Sequence, residues 1–428
     1  MAAFQRYLPV AAGWVGGALS ACGAAWAYSK ANSNKTSVPS AGSSGGVPMP
    51  HTIVNPATGA TTALSPRQAE LARYGLPVTT QLQLKQNYVS LVDYRLREPA
   101  WVMEHLTPNN LKGGADRANT SFGVDHDIPS PFRSSNDDYL KSGYSRGHMA
   151  PAANNKATNE SMKESFLLAS NIVPQDLDNN MFYWNRMEQW VRALATKKGF
   201  DDVYILSGPL FLPSPVSPHG LAESSSHKKS HSTLALPPPA DIHAPPLPAP
   251  TEPTTTMVPD RPFQYVSYKT IGSSRVAVPT HLFKAVLATK SQGNGKPPAV
   301  FHASFVVPNA PIREDVPLRA FQVPREVLES YAGFKVFDRA FASSLPVTDM
   351  CAIQDPKAQN GPEGRTMCQL ENAAAFRFFG IERDVAKARN RADLERHWAN
   401  AQRTADRYKM PVPQNIRDSY ERQLRSVS

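Results

Sequence analysis

From Ser214 to Pro262 the chain begins SPVSPHGLAESSSHKKSHSTLALPPPADIHAPPLPAPTEPTTT and continues in the same style, dense in Pro, Ser and Thr. Proline removes backbone donors and interrupts both helix and ladder, and so polar a stretch has too little apolar surface to bury. It is predicted to be disordered. Yet apolar, strand-like runs bracket it, YILSGPLFLP before and RVAVPTHLFKAVLATK after. Both read as parts of one sheet, so the stretch is a long loop inserted in one domain and not a boundary between two. Its histidines (His219, His227, His231, His243) are irregularly spaced, which argues against a metal site.

The remaining chain must build its core around that loop. At 428 residues it has room for about two domains plus extra segments. YVSLVDYRL from Tyr88 has strand character, and WVMEHLTP from Trp101 continues the sheet. VFHASFVV from Val300 to Val307 reads as another buried strand, closed by Pro308-Asn309. Pro324 opens a short helix to Tyr331. From about Leu370, ENAAAFRFFGIERDVAKARNRADLERHWANAQRTADRYK predicts helices with basic faces, and IRDSYERQLRSV predicts one more.

The N-terminus reads as an address. Leu8 to Tyr28, LPVAAGWVGGALSACGAAWAY, carries no charge. At ~1.5 Å per residue it can reach across a ~30 Å hydrocarbon core. Arg6 is the only charge before it, Lys30 and Lys35 follow, and the first acidic residue is Glu70. A basic, acid-free start suits mitochondrial import or a signal-anchor. Residues 1–30 are expected to be a retained membrane anchor, with a cleaved signal peptide and export as the alternative. Leu19-Ser20-Ala21-Cys22 also matches a lipoprotein cleavage box. Residues 31–66, rich in Ser, Gly, Thr and Pro, read as a flexible linker, with order beginning around Ser65 to Tyr74.

Lys and Arg number 46 against 36 Asp and Glu, a net charge of +10. That balance suits a polyanionic partner, nucleic acid or an anionic membrane, and equally suits ordinary solubility. Of three cysteines, Cys22 lies in the apolar N-terminal segment, leaving Cys351 and Cys368. The odd count implies no disulfide framework, and without a Cys-x-x-Cys pattern structural zinc is not expected.

GYSRGHMAPAANNK, Gly143 to Lys156, holds two possible chemistries. Gly143-Tyr144-Ser145-Arg146-Gly147 fits the G-x-S-x-G elbow of serine hydrolases, which requires a buried strand, a sharp turn and then a helix. Polar SSNDDYLKS precedes it, and Pro151 follows too soon for a helix. The other chemistry is phosphodiester cleavage. It needs a base for water, a cation for developing charge and donors for the phosphate. His148 supplies the base. Arg146 projects to the same side of an extended segment, toward a phosphate.

SNIVPQDLDNNMFYWNRMEQWVRAL, from Ser170, extends this second reading. NIVPQ reads as a short strand, and Asn179-Asn180 open a helix. Tyr183, Met187, Val191 and Leu194 recur at helical spacing as its buried face. At ~100° per residue, the eight residues from Asn180 to Glu188 rotate ~80° beyond two turns. Both can then share a flank facing His148. An asparagine oxygen is a neutral hard ligand suited to Mg²⁺; equally, Asn179-Asn180 can simply cap the helix. Tyr183 and Trp184 can stack on bases, but their spacing favours core packing.

Tyr144 to Lys156 together with Ser170 to Glu188 resemble the DNA/RNA non-specific ββα-metal nucleases, the group that includes endonuclease G. Ser-Arg-Gly-His in place of Asp-Arg-Gly-His looks like the mitochondrial exo/endonuclease G branch. REPAWVMEHLT, SNDDYLKSGY, VYILSGPLFLP and VAVPTHLFKAVL are similar to that branch, and CQLENAAAFRFFGIERDVAKAR with DSYERQL resembles its helical wing. The resemblance covers most of residues 85–428 apart from the Pro-rich insertion.

It implies an α+β fold: a ββα-metal (His-Me finger) nuclease core over residues 67–345, with the insertion at about 214–262, and a helical C-terminal wing over 346–428. It implies His148 as general base, Asn180 as the sole protein ligand of Mg²⁺ (Mn²⁺ being an alternative), and Glu188 holding a water of the ion's shell. Asn171 would orient groups in the site. Arg146 and Arg117 would hold phosphate, and Ser145 would shape the site without acting as nucleophile. The implied enzyme is a mitochondrial, inner-membrane 5′-exonuclease with endonuclease activity on DNA, possible activity on RNA, and a role in DNA repair, working as a homodimer. Two alternatives remain. One is a sugar-non-specific endonuclease of the endonuclease G type. The other is a membrane-tethered nucleic-acid-binding protein without catalysis.

Overall fold

A computed structural model describes residues 52–54, 61–73, 77, 79–213, 266–355 and 366–427. The expected anchor (1–30), the whole of the insertion (214–262) and its four histidines lie outside the described residues. No helix among the described residues is long and apolar enough to cross a membrane.

The N-terminal described residues form a unit of their own. Thr52–Val54 pairs antiparallel with Thr61–Ala63, so the described part of the stretch read as a flexible linker (31–66) holds a two-stranded ribbon. β-branched Thr and Val suit a pleated surface even in a Gly- and Pro-rich neighbourhood. The helix Pro66–Leu71 follows, with Ser65 and Gln68 satisfying each other's backbone in a capping box.

The larger unit is α+β. Its main sheet runs, in spatial order, Thr80–Leu84, Tyr88–Asp93, Glu98–Leu106, Asp202–Leu210, His281–Lys290, Ala299–Pro308 and Gln322–Val323. Neighbours along this path are antiparallel. The runs flanking the Pro-rich insertion pair directly, from Leu210↔His281 to Asp202↔Thr289. The insertion therefore leaves and re-enters one hairpin-like pair of central strands.

Val347–Asp349 adds a short parallel strand beside Ala299–Pro308. The first residues of the stretch assigned to the wing thus belong to the main sheet. The wing helices are Ala373–Ala386, Arg391–Tyr408 and Gln414–Ser426. They close on a separate apolar core that includes Phe378, Ile381, Leu394 and Ile416.

Cys351 and Cys368 form a disulfide, which corrects the expectation that the cysteines build none. The odd count treated all three as equivalent, whereas the fold brings only these two Cα atoms to 4.8 Å. The bridge lies in the main core beside Met350 and Met367.

Candidate active site

A second, four-stranded sheet carries the site, in the order Gly123–Val124, Leu167–Leu168, Ile172–Gln175 and Ser145–His148. Ser145–His148 pairs antiparallel with Ile172–Gln175, from Ser145↔Gln175 to His148↔Ile172. The chain then enters a π-helical turn, Asn179–Trp184, and the helix Asn185–Thr196. Two strands and a helix thus form the unit. The four positions expected to face the core, Tyr183, Met187, Val191 and Leu194, are all buried, as are Trp184 and Trp190. A methyl group at Gly147 would meet the Gln175 side chain at 2.1 Å. Glycine between Arg146 and His148 therefore lets Gln175 cross the strand and donate to Asn179 Oδ1 at 2.8 Å.

The π turn changes the expected geometry. One residue inserted in the turn makes the eight steps from Asn180 to Glu188 behave like seven, ~20° short of two full turns instead of ~80° past them. Both residues line one groove of about 2940 Å³, together with Arg117, Arg146 and His148. Five of the six sequence-predicted residues are thereby brought together.

His148 is only 8% exposed, and its Nε2 is buried with no hydrogen-bond partner. Its ring packs against Phe122 (centroids 5.3 Å) and Phe166 (4.9 Å), which also touch each other at 4.9 Å. Burial, and after it the positive charge of Arg117, push the imidazole down to about 3. It is accordingly a neutral base throughout the physiological range. The Phe122–Phe166 pair carries more than the histidine. The Arg146 guanidinium sits 5.4 Å from the Phe122 ring and 5.2 Å from Tyr139, and Arg117 lies 5.5 Å from Phe166. Arg146 also donates to the Asn136 carbonyl at 3.0 Å. Phe122 and Phe166 escaped the sequence reading because they come from separate segments and share no periodic signal.

Asn171 is the exception. It is fully buried and does not line the groove. Its Oδ1 accepts from the Ala150 N–H at 2.8 Å, and its Nδ2 donates to the carbonyls of Ala150 (2.8 Å) and Ser165 (2.6 Å). It clamps the backbone just beyond His148.

Ser145 donates to the Gln175 carbonyl at 2.9 Å and accepts from Asn180 Nδ2 at 3.0 Å. Ser145 and His148 are three residues apart on one strand and point to opposite faces. Neither a strand–turn–helix elbow nor a Ser–His pair exists here, and the hydrolase reading ends.

Beneath Glu188 lies a charge cluster that sequence periodicity did not reveal. Lys284, enclosed in the central sheet, donates to Ser207 Oγ at 2.6 Å and sits 4.4 Å from the Trp184 ring. Asn154 donates to Glu104 at 2.9 Å and accepts from Arg192 at 3.1 Å. Burial raises the carboxyls of Glu104 and Glu188, and Lys284 and Arg192 oppose that rise in both. Glu104 and Lys284 come from separate strands and meet the helix that carries Glu188 and Arg192 only when the chain folds.

Among the described residues no group of three or more His, Cys, Asp or Glu can hold a metal. A zinc-type cage is therefore not built there. The donors present are different. Because Ser145 engages the Asn180 amide nitrogen, the amide oxygen is left as the group to offer, with the Glu188 carboxyl on the same flank. One neutral oxygen beside a carboxylate fits a hard divalent cation that keeps most of its water.

Residues 67–343 match the model of the family described as DNA/RNA non-specific endonuclease. The mitochondrial nuclease EXOG of Mus musculus is 34% identical over 333 residues, covering 78% of this chain and 74% of that protein. Human mitochondrial endonuclease G is 34% identical over 264 residues, 62% of this chain and 72% of its own. The mitochondrial nuclease of Saccharomyces cerevisiae is 34% identical over 271 residues, 62% and 69% respectively. The chain belongs to the DNA/RNA non-specific endonuclease family, and it is a nuclease with a ββα-metal core.

Proposed function

We propose that the chain is a Mg²⁺-dependent phosphodiesterase acting on DNA, a mitochondrial 5′-exonuclease with endonuclease activity that processes ends in DNA repair. The observation that carries the reading is His148 Nε2, a buried and unpartnered base on the groove shared with Arg117, Arg146, Asn180 and Glu188.

In this reading His148 accepts the proton of the attacking water, and its low proton affinity keeps it unprotonated until then. Arg146 and Arg117 hold the phosphate oxygens, each steadied by an aromatic ring. Asn180 and Glu188 would hold the cation and its water shell, and Asn171 fixes the backbone that carries His148. A divalent ion bound there supplies Lewis-acid stabilisation of charge on the phosphate and the leaving oxygen. Mg²⁺ is the natural occupant, and Mn²⁺ substitutes because one amide oxygen discriminates little between them. The N-terminal segment would tether the enzyme to the inner mitochondrial membrane, and the working form is a homodimer. RNA is a second possible substrate.

The test uses 5′- and 3′-labelled linear DNA and a closed circle, with and without Mg²⁺, and His148→Ala in parallel. Short 5′-labelled products, with the circle cut far more slowly and the variant silent, are expected. Rapid cutting of the circle would reassign the chain as a general endonuclease. Salt-sensitive DNA binding without any divalent-dependent product would leave a binding protein.

A further inference from the structure

Arg377 brings the wing onto the π turn. Arg377, on the first wing helix, places its guanidinium carbon 3.7 Å from the centroid of the Phe182 ring. Phe182 lies two residues beyond Asn180 inside that turn. Arg377 Nε also donates to the Glu314 carboxylate at 2.9 Å, and its Nη2 adds a second bond to the same oxygen. Tyr408 donates to that carboxylate as well, and Arg407 stands 3.3 Å from it. The backbone carbonyl of Glu314 accepts from Arg186, on the site helix, at 3.0 Å. Glu314 thus joins wing and site helix, and Arg377 spans from it to the ring.

A π turn is a rare one-residue insertion in a helix, and it persists where its surroundings hold it. Core contacts hold part of this one: Asn179 donates to the carbonyls of Pro308 and Ala310, and Tyr183 to that of Val316. The contact on Phe182 comes from the wing. Relaxation to a regular helix would rotate Asn180 by ~100°, one residue's share, relative to Glu188.

We propose that Arg377 is a positioning residue for the cation site, acting through Phe182 and Glu314 to keep Asn180 in register with Glu188. This rests on the reading that Asn180 holds the divalent ion. The wing then shapes the metal site as well as the groove. A lysine cannot replace the arginine, because the planar fork both stacks and donates from its edge.

The test measures Mn²⁺ binding to the full chain by calorimetry and paramagnetic resonance, and amide exchange over residues 179–184 without metal. Variants are Arg377→Ala, Arg377→Lys, Phe182→Ala, the double Phe182→Ala/Arg377→Ala, and Asn180→Ala. Arg377→Ala and Phe182→Ala should each weaken Mn²⁺ binding by roughly tenfold, as loss of a supporting contact does. The double should be no weaker, and exchange in the turn should accelerate. Arg377→Lys, the milder change should the alanine variant fold poorly, should show the same loss with an unchanged thermal midpoint. Unchanged Mn²⁺ affinity in the Arg377 variants, with Asn180→Ala silent, would overturn the proposal alone. So would weakened metal-free DNA binding at unaltered Mn²⁺ affinity, which would make Arg377 a DNA contact. Mn²⁺ bound normally by Asn180→Ala would overturn the underlying reading together with it.

Discussion

The indole N–H of Trp184 donates to the carbonyl oxygen of His148 across 3.2 Å. A buried side chain at the start of the site helix therefore fixes the end of the strand that presents the imidazole. Trp184→Phe keeps an aromatic ring near Lys284 but leaves that carbonyl without its donor. An unpaired buried polar group costs ~1–3 kcal/mol. Urea unfolding should register a loss in that range, and steady-state kinetics should show kcat falling more than KM changes. An unaltered kcat in a measurably destabilised variant would show that His148 keeps its place without the indole.

Asn171 offers a sharper test because it both accepts and donates. Asn171→Ala leaves one N–H and two carbonyls unpaired in the interior, and a loss of roughly 2–5 kcal/mol is expected. Asn171→Asp retains the acceptor for the Ala150 N–H but loses both donated bonds and adds a buried charge. If the clamp depends on the donated bonds, the aspartate variant will be no more stable than the alanine one. Recovery of wild-type stability in the aspartate variant would refute this account.

The legible parts of the site were those where chemistry and local order coincide. His148, Arg146, Asn180 and Glu188 lie on one short strand and the start of one helix, so the spacing of residue types placed them on one side. The strands flanking the Pro-rich insertion were legible from apolar patterning, since burial on both faces leaves little other reading. What escaped depended on distant parts of the chain meeting. Glu104 and Lys284 lie on separate strands of the main sheet and meet Glu188 only after it closes. The π turn also escaped, because nothing in NNMFYW distinguishes it from a regular turn. The Cys351–Cys368 bridge was missed for the same reason, a pairing decided by packing and not by count.

The low proton affinity of His148 sets a pH signature. Folding pushes the imidazole down to about 3, mainly by burial and then by Arg117, whereas the unfolded chain titrates near ~6.5. The unfolded state thus takes up a proton that the fold refuses, and stability declines as pH drops from ~6.5 towards 3. The kcat/KM profile should show no histidine inflection near 6.5, its acid limb lying lower. Arg117→Gln removes a positive neighbour and should raise the His148 pKa, read by NMR of the ring carbons. A His148 resonance titrating between 6 and 7 in the folded wild type would overturn this account of its burial and leave its role as a base standing.

Lys284 is the cation that the enclosed acids share. It is itself held below its usual value by burial, and its charge counters the burial-driven rise of both Glu104 and Glu188. Lys284→Met keeps the apolar stem but leaves the carboxylates short of a partner, and breaking a buried pair costs ~3–5 kcal/mol. Glu188 should then protonate at higher pH, and the acid limb of kcat/KM should move upward. Glu104→Gln placed in the Lys284→Met background removes one of the stranded charges. Part of the lost stability should return, a departure from additivity that a double-mutant cycle measures. Strictly additive losses, with an acid limb that stays put, would mean that Lys284 merely fills space beneath the site, and Glu188 would owe its ionisation to Arg192 alone among its buried neighbours.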